Sequence, residues 1–298
     1  MSRLRSLVTR TKAPWLWGLL LSTCVLLVSC TQRTPRKLTI GLLPGESAPT
    51  VMRLNEPLRA YLEQTLGMPV ELIVGANYAA TGEALRFGRI DIAYLGPVTY
   101  VLQSRHAELE VFSRPSHAGT GPTFQAVIIV PSDSPAKTLS DLKGKTVAFG
   151  DPASTSGTWV PRYQLLQAGL VAGRDYTKVV LGAHDAVALA VMNRKADGGG
   201  LSMPIYKRLL SEHAIDPTTV RVLAESTPIP EYMWTFREGL APELRDKVRL
   251  AFSSMLDPQA LKVFRAEKFV SAQDSDVDPV RAWIDAIRRA SPEEFSAL

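Results

Sequence analysis

The sequence has 298 residues, with 34 basic and 29 acidic side chains, four His and two Cys. Its first 29 residues hold Arg3, Arg5, Arg10 and Lys12 and no acid, so the other 269 carry 30 basic against 29 acidic groups, a net charge of +1. That balance excludes a nucleic-acid binder working through a broad basic field. A composition of 46% hydrophobic and 21% charged residues excludes a disordered chain, and the length suits one large domain or two modest ones.

The basic opening precedes an apolar run of 14 residues, Trp15 to Val28. A bilayer-spanning helix needs roughly 20 residues, so the run suits the hydrophobic region of a signal peptide. It ends Leu27-Val28-Ser29-Cys30, similar to a bacterial lipobox, in which a small residue precedes the Cys that is acylated and becomes the new N-terminus. Residues 1–29 are read as a lipoprotein signal peptide, Cys30 as the lipidation site and residues 30–37 as a polar tether. The competing reading is an uncleaved anchor with a bystander Cys. Cys24 lies in the leader, so the mature body has no internal disulfide, thiolate zinc site or thiol nucleophile.

Leu38 to Leu42 is the first predicted strand, followed by a Pro44-Gly45 turn. A helix pattern covers Met52 to Leu66, with Leu58, Leu62 and Leu66 on one stripe and Gly67 as its stop. Val70 to Val74 is a strand, Ala80 to Phe87 a helix, and Asp91 to Leu95 a buried strand closed by Gly96-Pro97. The order then recurs: strand Thr146 to Phe149, a helix ending near Gly169, strand Lys178 to Leu181, helix Ala186 to Arg194, then Asp197 and a Gly-rich segment ending Leu201-Ser202. Pro44 and Pro152 are 108 apart, Gly75 and Gly182 107, Asp91 and Asp197 106, and Tyr100 and Tyr206 106. This repeat of pattern predicts two βαβαβ lobes, whose parallel strands need helical crossovers. The chain is expected to cross between lobes at Phe124 to Val130 and again at Leu223 to Pro230. Residues 38–123 form lobe 1, residues 124–224 form lobe 2, and residues 225–298 return to lobe 1.

In open α/β sheets ligands bind beyond the carboxyl ends of the strands. Here that selects Leu43 to Ser47, Asn77-Tyr78, Gly150 to Gly157 and His184-Asp185, with Tyr94 to Tyr100 able to join them. Asp151-Pro152-Ala153-Ser154-Thr155-Ser156-Gly157 lies between a strand and a helix. Three hydroxyls and free N–H groups at a helix start favour an anion; ordinary N-capping is the competing account, although one hydroxyl suffices for that. Pro161 predicts a short first turn and a kink. His184 is read as a donor to an oxyanion, with its pKa raised by it, against a plain N-cap by Asp185 with His184 exposed. Tyr78 supplies a neutral hydroxyl from the opposite lobe, or else packs at the lobe edge. Gly198-Gly199-Gly200 is read as a close backbone approach or a flexible edge rather than a phosphate loop. His106, His117 and His213 share no ligand spacing, so no metal or cofactor is expected, and no nucleophile–base motif marks an enzyme.

Several segments together resemble the periplasmic phosphonate, phosphite and phosphate-binding proteins of ABC importers. They are Glu83-Ala84-Leu85-Arg86-x-Gly88-x-Ile90-Asp91-Ile92-Ala93-Tyr94-x-Gly96-Pro97-x-x-Tyr100, Asp141-Leu142-Lys143-Gly144-Lys145, the Asp151 to Gly157 stretch, and Ala183-His184-Asp185-Ala186-Val187 with Ala190-Val191. The resemblance spans Leu38 to Pro230. It implies a two-lobed type II periplasmic-binding-protein-like α/β fold, each lobe a mostly parallel sheet with flanking helices. It also implies that Ser154, Thr155 and Ser156 cradle a phosphorus oxyanion, with Tyr78 and His184 as further ligands. Two departures stand out. Phe124 occupies a position where the family often has Tyr, and Leu201-Ser202-Met203-Pro204 lacks the acid that usually meets an amine. Phosphate, phosphite or an unsubstituted phosphonate is therefore expected over a 2-aminoalkyl phosphonate. The implied protein is a lipid-anchored monomer on the periplasmic side of the membrane, or on the extracellular face of a Gram-positive cell. Its partner is an ABC permease and ATPase. A sensor module feeding a membrane kinase, an enzyme on the same fold, or a sulfate or carboxylate binder are the alternatives.

Overall fold

The computed structural model describes residues 37–292. The signal peptide, most of the tether and Cys30 lie outside them, as do the last six residues. The chain opens with β1 (Leu38–Leu42), α1 (Ala48–Leu66), β2 (Val70–Val74), α2 (Tyr78–Arg86), β3 (Ile92–Leu95), α3 (Pro97–Gln103) and β4 (Glu110–Ser116). It then runs through β5 (Thr123–Phe124) into β6 (Ala126–Pro131), β7 (Thr146–Gly150), α4 (Val160–Gln167), β8 (Thr177–Gly182), α5 (His184–Met192), β9 (Gly198–Ser202), α6 (Met203–Ser211) and β10 (Val220–Glu225). It returns through β11 (Ile229–Pro230) to β12 (Met233–Phe236), α7 (Pro242–Ser253), α8 (Pro258–Val263), β13 (Lys268–Ser271) and α9 (Asp278–Ala290).

The strands form a six-stranded sheet in the order β13-β4-β12-β3-β1-β2 and a five-stranded sheet in the order β10-β6-β9-β7-β8. The expectation of mostly parallel sheets is corrected here: both are mixed. In the first, β1 is parallel to β2 and β3, while β12 is antiparallel to β3 and β4 and β13 is antiparallel to β4. In the second, β7 is parallel to β8 and β9, while β6 is antiparallel to β9 and β10. The cause is the double crossing. Strands that enter a sheet from the other half arrive without the helical crossover that a parallel neighbour requires. The two crossing strands, β5 and β11, pair antiparallel with each other, Ile229 opposite Phe124 and Pro230 opposite Thr123.

Helices cover both faces of each sheet. Leu38, Ile40 and Leu42 of β1 pack with Leu58 and Leu62 of α1 and with Val248 and Phe252 of α7. On the other face Ala93 and Leu95 meet Leu85 of α2, Val98 of α3 and the Val280, Ile284 and Ile287 stripe of α9. In the second sheet Val127, Ile129 and Leu201 pack with Val187 and Val191 of α5, while Ile128, Val147 and Phe149 pack with Leu165 of α4.

The pattern repeat has a physical basis. Asp91 Oδ2 accepts from the Thr39 N–H at 3.0 Å, and the Asp91 N–H donates to the Thr39 carbonyl at 2.9 Å. Asp197 Oδ2 accepts from the Thr146 N–H at 2.8 Å, and the Asp197 N–H donates to the Thr146 carbonyl at 2.8 Å. Each Asp therefore ties the segment leading into an inner strand to the start of the half's first parallel strand. Gly199 and Gly200 lie in central strand β9 for want of space. A Cβ at Gly199 would stand 2.6 Å from Val187 Cγ1, and one at Gly200 2.5 Å from Pro161 Cγ. Close helix approach is the reading that holds; a flexible edge is not.

Candidate functional site

Loops at the carboxyl ends of β1, β2, β3, β7 and β8 converge between the two sheets. The β7–α4 loop carries the hydroxyl cluster. Its helix does not begin as an α-helix: residues Thr155–Trp159 form a single π-helical turn, and Val160 starts α4 with Pro161 in its first turn. The proline, which lacks an N–H, thus sits where a helix start leaves N–H groups unpaired anyway. The kink expected at Pro161 takes the form of this wide turn. Such single π-helical turns recur at functional sites.

The three hydroxyls have different partners. Ser154 is the N-cap, its Oγ accepting from the Gly157 N–H at 3.1 Å. Thr155 Oγ1 accepts from the Val98 N–H at 3.0 Å, so this side chain spans from the second half to the first. Ser156 Oγ is buried and makes no hydrogen bond. All three residues are fully buried. The capping account therefore covers Ser154 alone.

Tyr78 opens α2 just after its cap, Asn77, and is 2% exposed. Its N–H donates to Asp151 Oδ2 at 3.0 Å, a second link between the halves. Its hydroxyl sits close enough to Tyr232 and Ser154 for each to perturb its ionisation, and burial raises its pKa well above the ordinary value. The ring itself packs in the cluster of Leu43, Leu85 and Ala93. Asp151 Oδ1 accepts from Ala153 at 2.8 Å; burial pushes the Asp151 carboxyl up against the opposing pull of the Tyr78 and Ala153 N–H groups.

His184 is 1% exposed at the first turn of α5, with Ala183 as N-cap. The reading of an exposed His184 beside a capping Asp185 is thus excluded; the Asp185 carboxylate instead bonds the Ala186 N–H at 2.8 Å. The rise expected of its pKa was to come from a bound oxyanion; the protein's own surroundings act the other way. Burial alone lowers His184 to about 4, so the ring is neutral. Its Nδ1 accepts from the Ser202 N–H at 3.2 Å, which leaves the proton, and the donor role, on Nε2. Its backbone N–H donates to the Gly45 carbonyl at 3.0 Å. A Cβ at Gly45 would lie 2.9 Å from the Tyr78 hydroxyl and 3.6 Å from His184 Cδ2. Gly45 thus lets tyrosine and histidine meet.

Sequence reasoning missed Tyr232, between β11 and β12. Burial raises its pKa to about 12, and its hydroxyl lies close to those of Tyr78, Ser156 and Ser154. With Ser156 the geometry falls short of a hydrogen bond. Phe124 packs edge-on against the Tyr232 ring, centroids 5.6 Å apart at 74°. A hydroxyl thus stands beside Phe124 from just past the other crossing strand. The signal was available: Tyr232 lies two residues past Pro230, where the second crossing was expected to end. Ser154, Thr155, Ser156, Tyr78 and His184 all come together with it. Among the described residues, no group of three or more His, Cys, Asp or Glu side chains is placed to hold a metal ion. The arrangement gathers buried, neutral O–H and N–H donors where the two sheets meet, which suits holding a small anion.

Residues 40–277 match the family model of the phosphonate ABC transporter's periplasmic substrate-binding protein. The phosphate-import protein PhnD of Mycolicibacterium smegmatis is 26% identical over 260 residues, covering 84% of this chain and 80% of that protein. The crystal structure of a binding-protein component of a Pseudomonas aeruginosa ABC phosphonate transporter superposes with a TM-score of 0.78 at 25% identity, covering 86% of this chain and 87% of that one. PhnD1 of Prochlorococcus marinus, solved in complex with methylphosphonate, shares the fold with a TM-score of 0.77 at 20% identity, covering 86% of this chain and 98% of that one. With most of its length matched, the chain belongs to the family of periplasmic substrate-binding proteins that serve ABC phosphonate transporters.

Proposed function

We propose that this chain captures a small phosphorus oxyanion (phosphate, phosphite or a simple phosphonate) between its two halves and delivers it to an ABC permease and ATPase. Residues 38–123 with 225–298 act as one lobe and 124–224 as the other, and the chain works as a monomer held at the periplasmic face of the membrane by lipid on Cys30. Ser154, Thr155, Ser156, Tyr78 and His184 are the ligand-binding residues, joined by Tyr232. The observation that carries this reading is Ser156: a hydroxyl with no hydrogen-bond partner, fully buried beside the Tyr232 hydroxyl. Leaving such a group unpaired costs about 1–3 kcal/mol. An oxyanion accepting from it removes that cost, and neutral donors hold the anion without a buried cation.

Titration calorimetry with phosphate, phosphite, methylphosphonate, sulfate and 2-aminoethylphosphonate tests the reading. Tight binding is expected for at least one of the first three, with sulfate and the aminophosphonate weaker. Ser156→Ala removes one hydrogen bond to a charged acceptor, a loss of roughly 1.5–3 kcal/mol or about one to two decades in affinity, with no loss of thermal stability. Tyr232→Phe is expected to do the same while keeping its ring against Phe124. Parent-like affinity in both variants would move the anion elsewhere.

A further inference from the structure

The hydroxyl site closes through backbone and neutral contacts, but a charged pair stands at its rim. Glu46 follows Gly45 in the β1–α1 loop, and Arg208 lies in α6 of the second half. An Arg208 Nη2–Glu46 Oε1 ion pair links them, and the Glu46 side chain is 8% exposed. Arg208 also pairs through Nη1 with Glu212, one turn along its own helix. Glu46 has a neighbour that binds the site together: the Gly45 carbonyl accepts from His184, and the Gly45 backbone abuts the Tyr78 hydroxyl.

We propose that Glu46 and Arg208 form a closure latch, acting as positioning residues that hold the halves together over the bound anion and set its release rate. The inference rests on the reading above that an anion sits between the halves. Two physical features support it. First, Arg208 has two acidic partners, one on each side of the gap. When the halves part it keeps Glu212, at helical i, i+4 spacing, and loses Glu46, so opening solvates one carboxylate without stranding the guanidinium. Second, Glu46 is a negative charge one residue from a wall of the anion site. Without Arg208 it repels the ligand; with Arg208 it is neutralised only as the halves meet. A buried pair cut on one side leaves its partner uncompensated. The two single variants are therefore unequal: Arg208→Met leaves the repelling carboxylate, whereas Glu46→Gln removes it.

The test is stopped-flow dissociation of whichever of phosphate, phosphite and methylphosphonate the parent binds. Arg208→Met is expected to raise the dissociation rate at least tenfold while changing the association rate less than threefold. Glu46→Gln should raise it less, and the Glu46→Gln/Arg208→Met double variant should release more slowly than Arg208→Met alone. Added salt should speed release from the parent more than from the double variant. Ligand-free melting temperatures of all variants should match the parent within a few degrees, separating a latch from a folding defect. A parent that binds the anion with Arg208→Met releasing it at the parent's rate overturns the latch and leaves the anion site standing. A parent that binds none of the three overturns the anion site instead. The latch is then read from the ligand-free proteins by small-angle scattering, where Arg208→Met must show a larger radius of gyration than the parent; an equal radius overturns it.

Discussion

His184 shows how one buried side chain can be neutral by design of its surroundings. Its pKa of about 4 reflects burial, and the Ser202 N–H on Nδ1 fixes which nitrogen donates. In the unfolded chain a histidine titrates near 6.5. Between pH 6.5 and about 4 the unfolded state therefore takes up a proton that the folded state refuses. Stability falls as pH falls through that window, by about 3 kcal/mol in all. His117, at the end of β4, has the opposite sign. Its Nε2 lies 3.0 Å from Glu231 Oε2, and this hydrogen bond raises its pKa. Its contribution is fully present below the unfolded value and is lost as pH rises through the folded one. Denaturant midpoints from pH 4 to 8 check both. His184→Gln is expected to flatten the acid limb, and His117→Gln to flatten the loss on the neutral side.

At the scale of elements, the first strands were legible in the sequence because their apolar runs are short and closely followed by Gly or Pro. Leu38–Leu42 and Val70–Val74 form where those runs lie. Helix starts were less legible. Helix α1 begins at Ala48 rather than Met52, and α2 at Tyr78 rather than Ala80, because Pro49 in the first turn of α1 and the Asn77 cap of α2 extend each helix past its apolar stripe. The loop hydroxyls were found because their spacing is local. Tyr232 and the Glu46–Arg208 pair were not, since their role depends on contacts between segments distant in sequence. The Val280 to Arg289 pattern reads as a helix packing back on the first sheet, and Val280, Ile284 and Ile287 of α9 are buried there. Strand β9 carries the element-scale prediction. Gly200→Ala places a Cβ against Pro161, an overpacking expected to cost about 1–3 kcal/mol in denaturant unfolding. Because Pro161 follows the π-helical turn, affinity should fall with it, although no donor is lost.

For the whole molecule, links between the halves are spread along one rim: Tyr78 to Asp151, Val98 to Thr155, Thr99 to Ala153, and His184 to Gly45. The paired crossing strands β5 and β11 are the covalent route between the sheets. Two short, paired segments can absorb a bend with little disturbance to either core, the geometry of hinge closure. The π-helical turn and the hydroxyl site belong to the second half, while Tyr78, Gly45 and Glu46 belong to the first. The residues proposed to bind the ligand therefore come from both halves.

Strand β12 is wedged between β3 and β4, yet it comes after the entire second half in the chain. During synthesis the five strands of the second sheet are complete by Glu225, while the first sheet still lacks its middle strand and consists of two separate pieces. The contiguous portion is free to fold early; the discontinuous portion must wait for the ribosome to deliver residue 236 and beyond. A nascent chain halted after Glu225 should accordingly yield a protease-resistant core from residues 126–225 and a digestible amino-terminal half, read by pulse proteolysis and mass spectrometry. The side chains of both sheets can thus come together only after the last pieces have emerged.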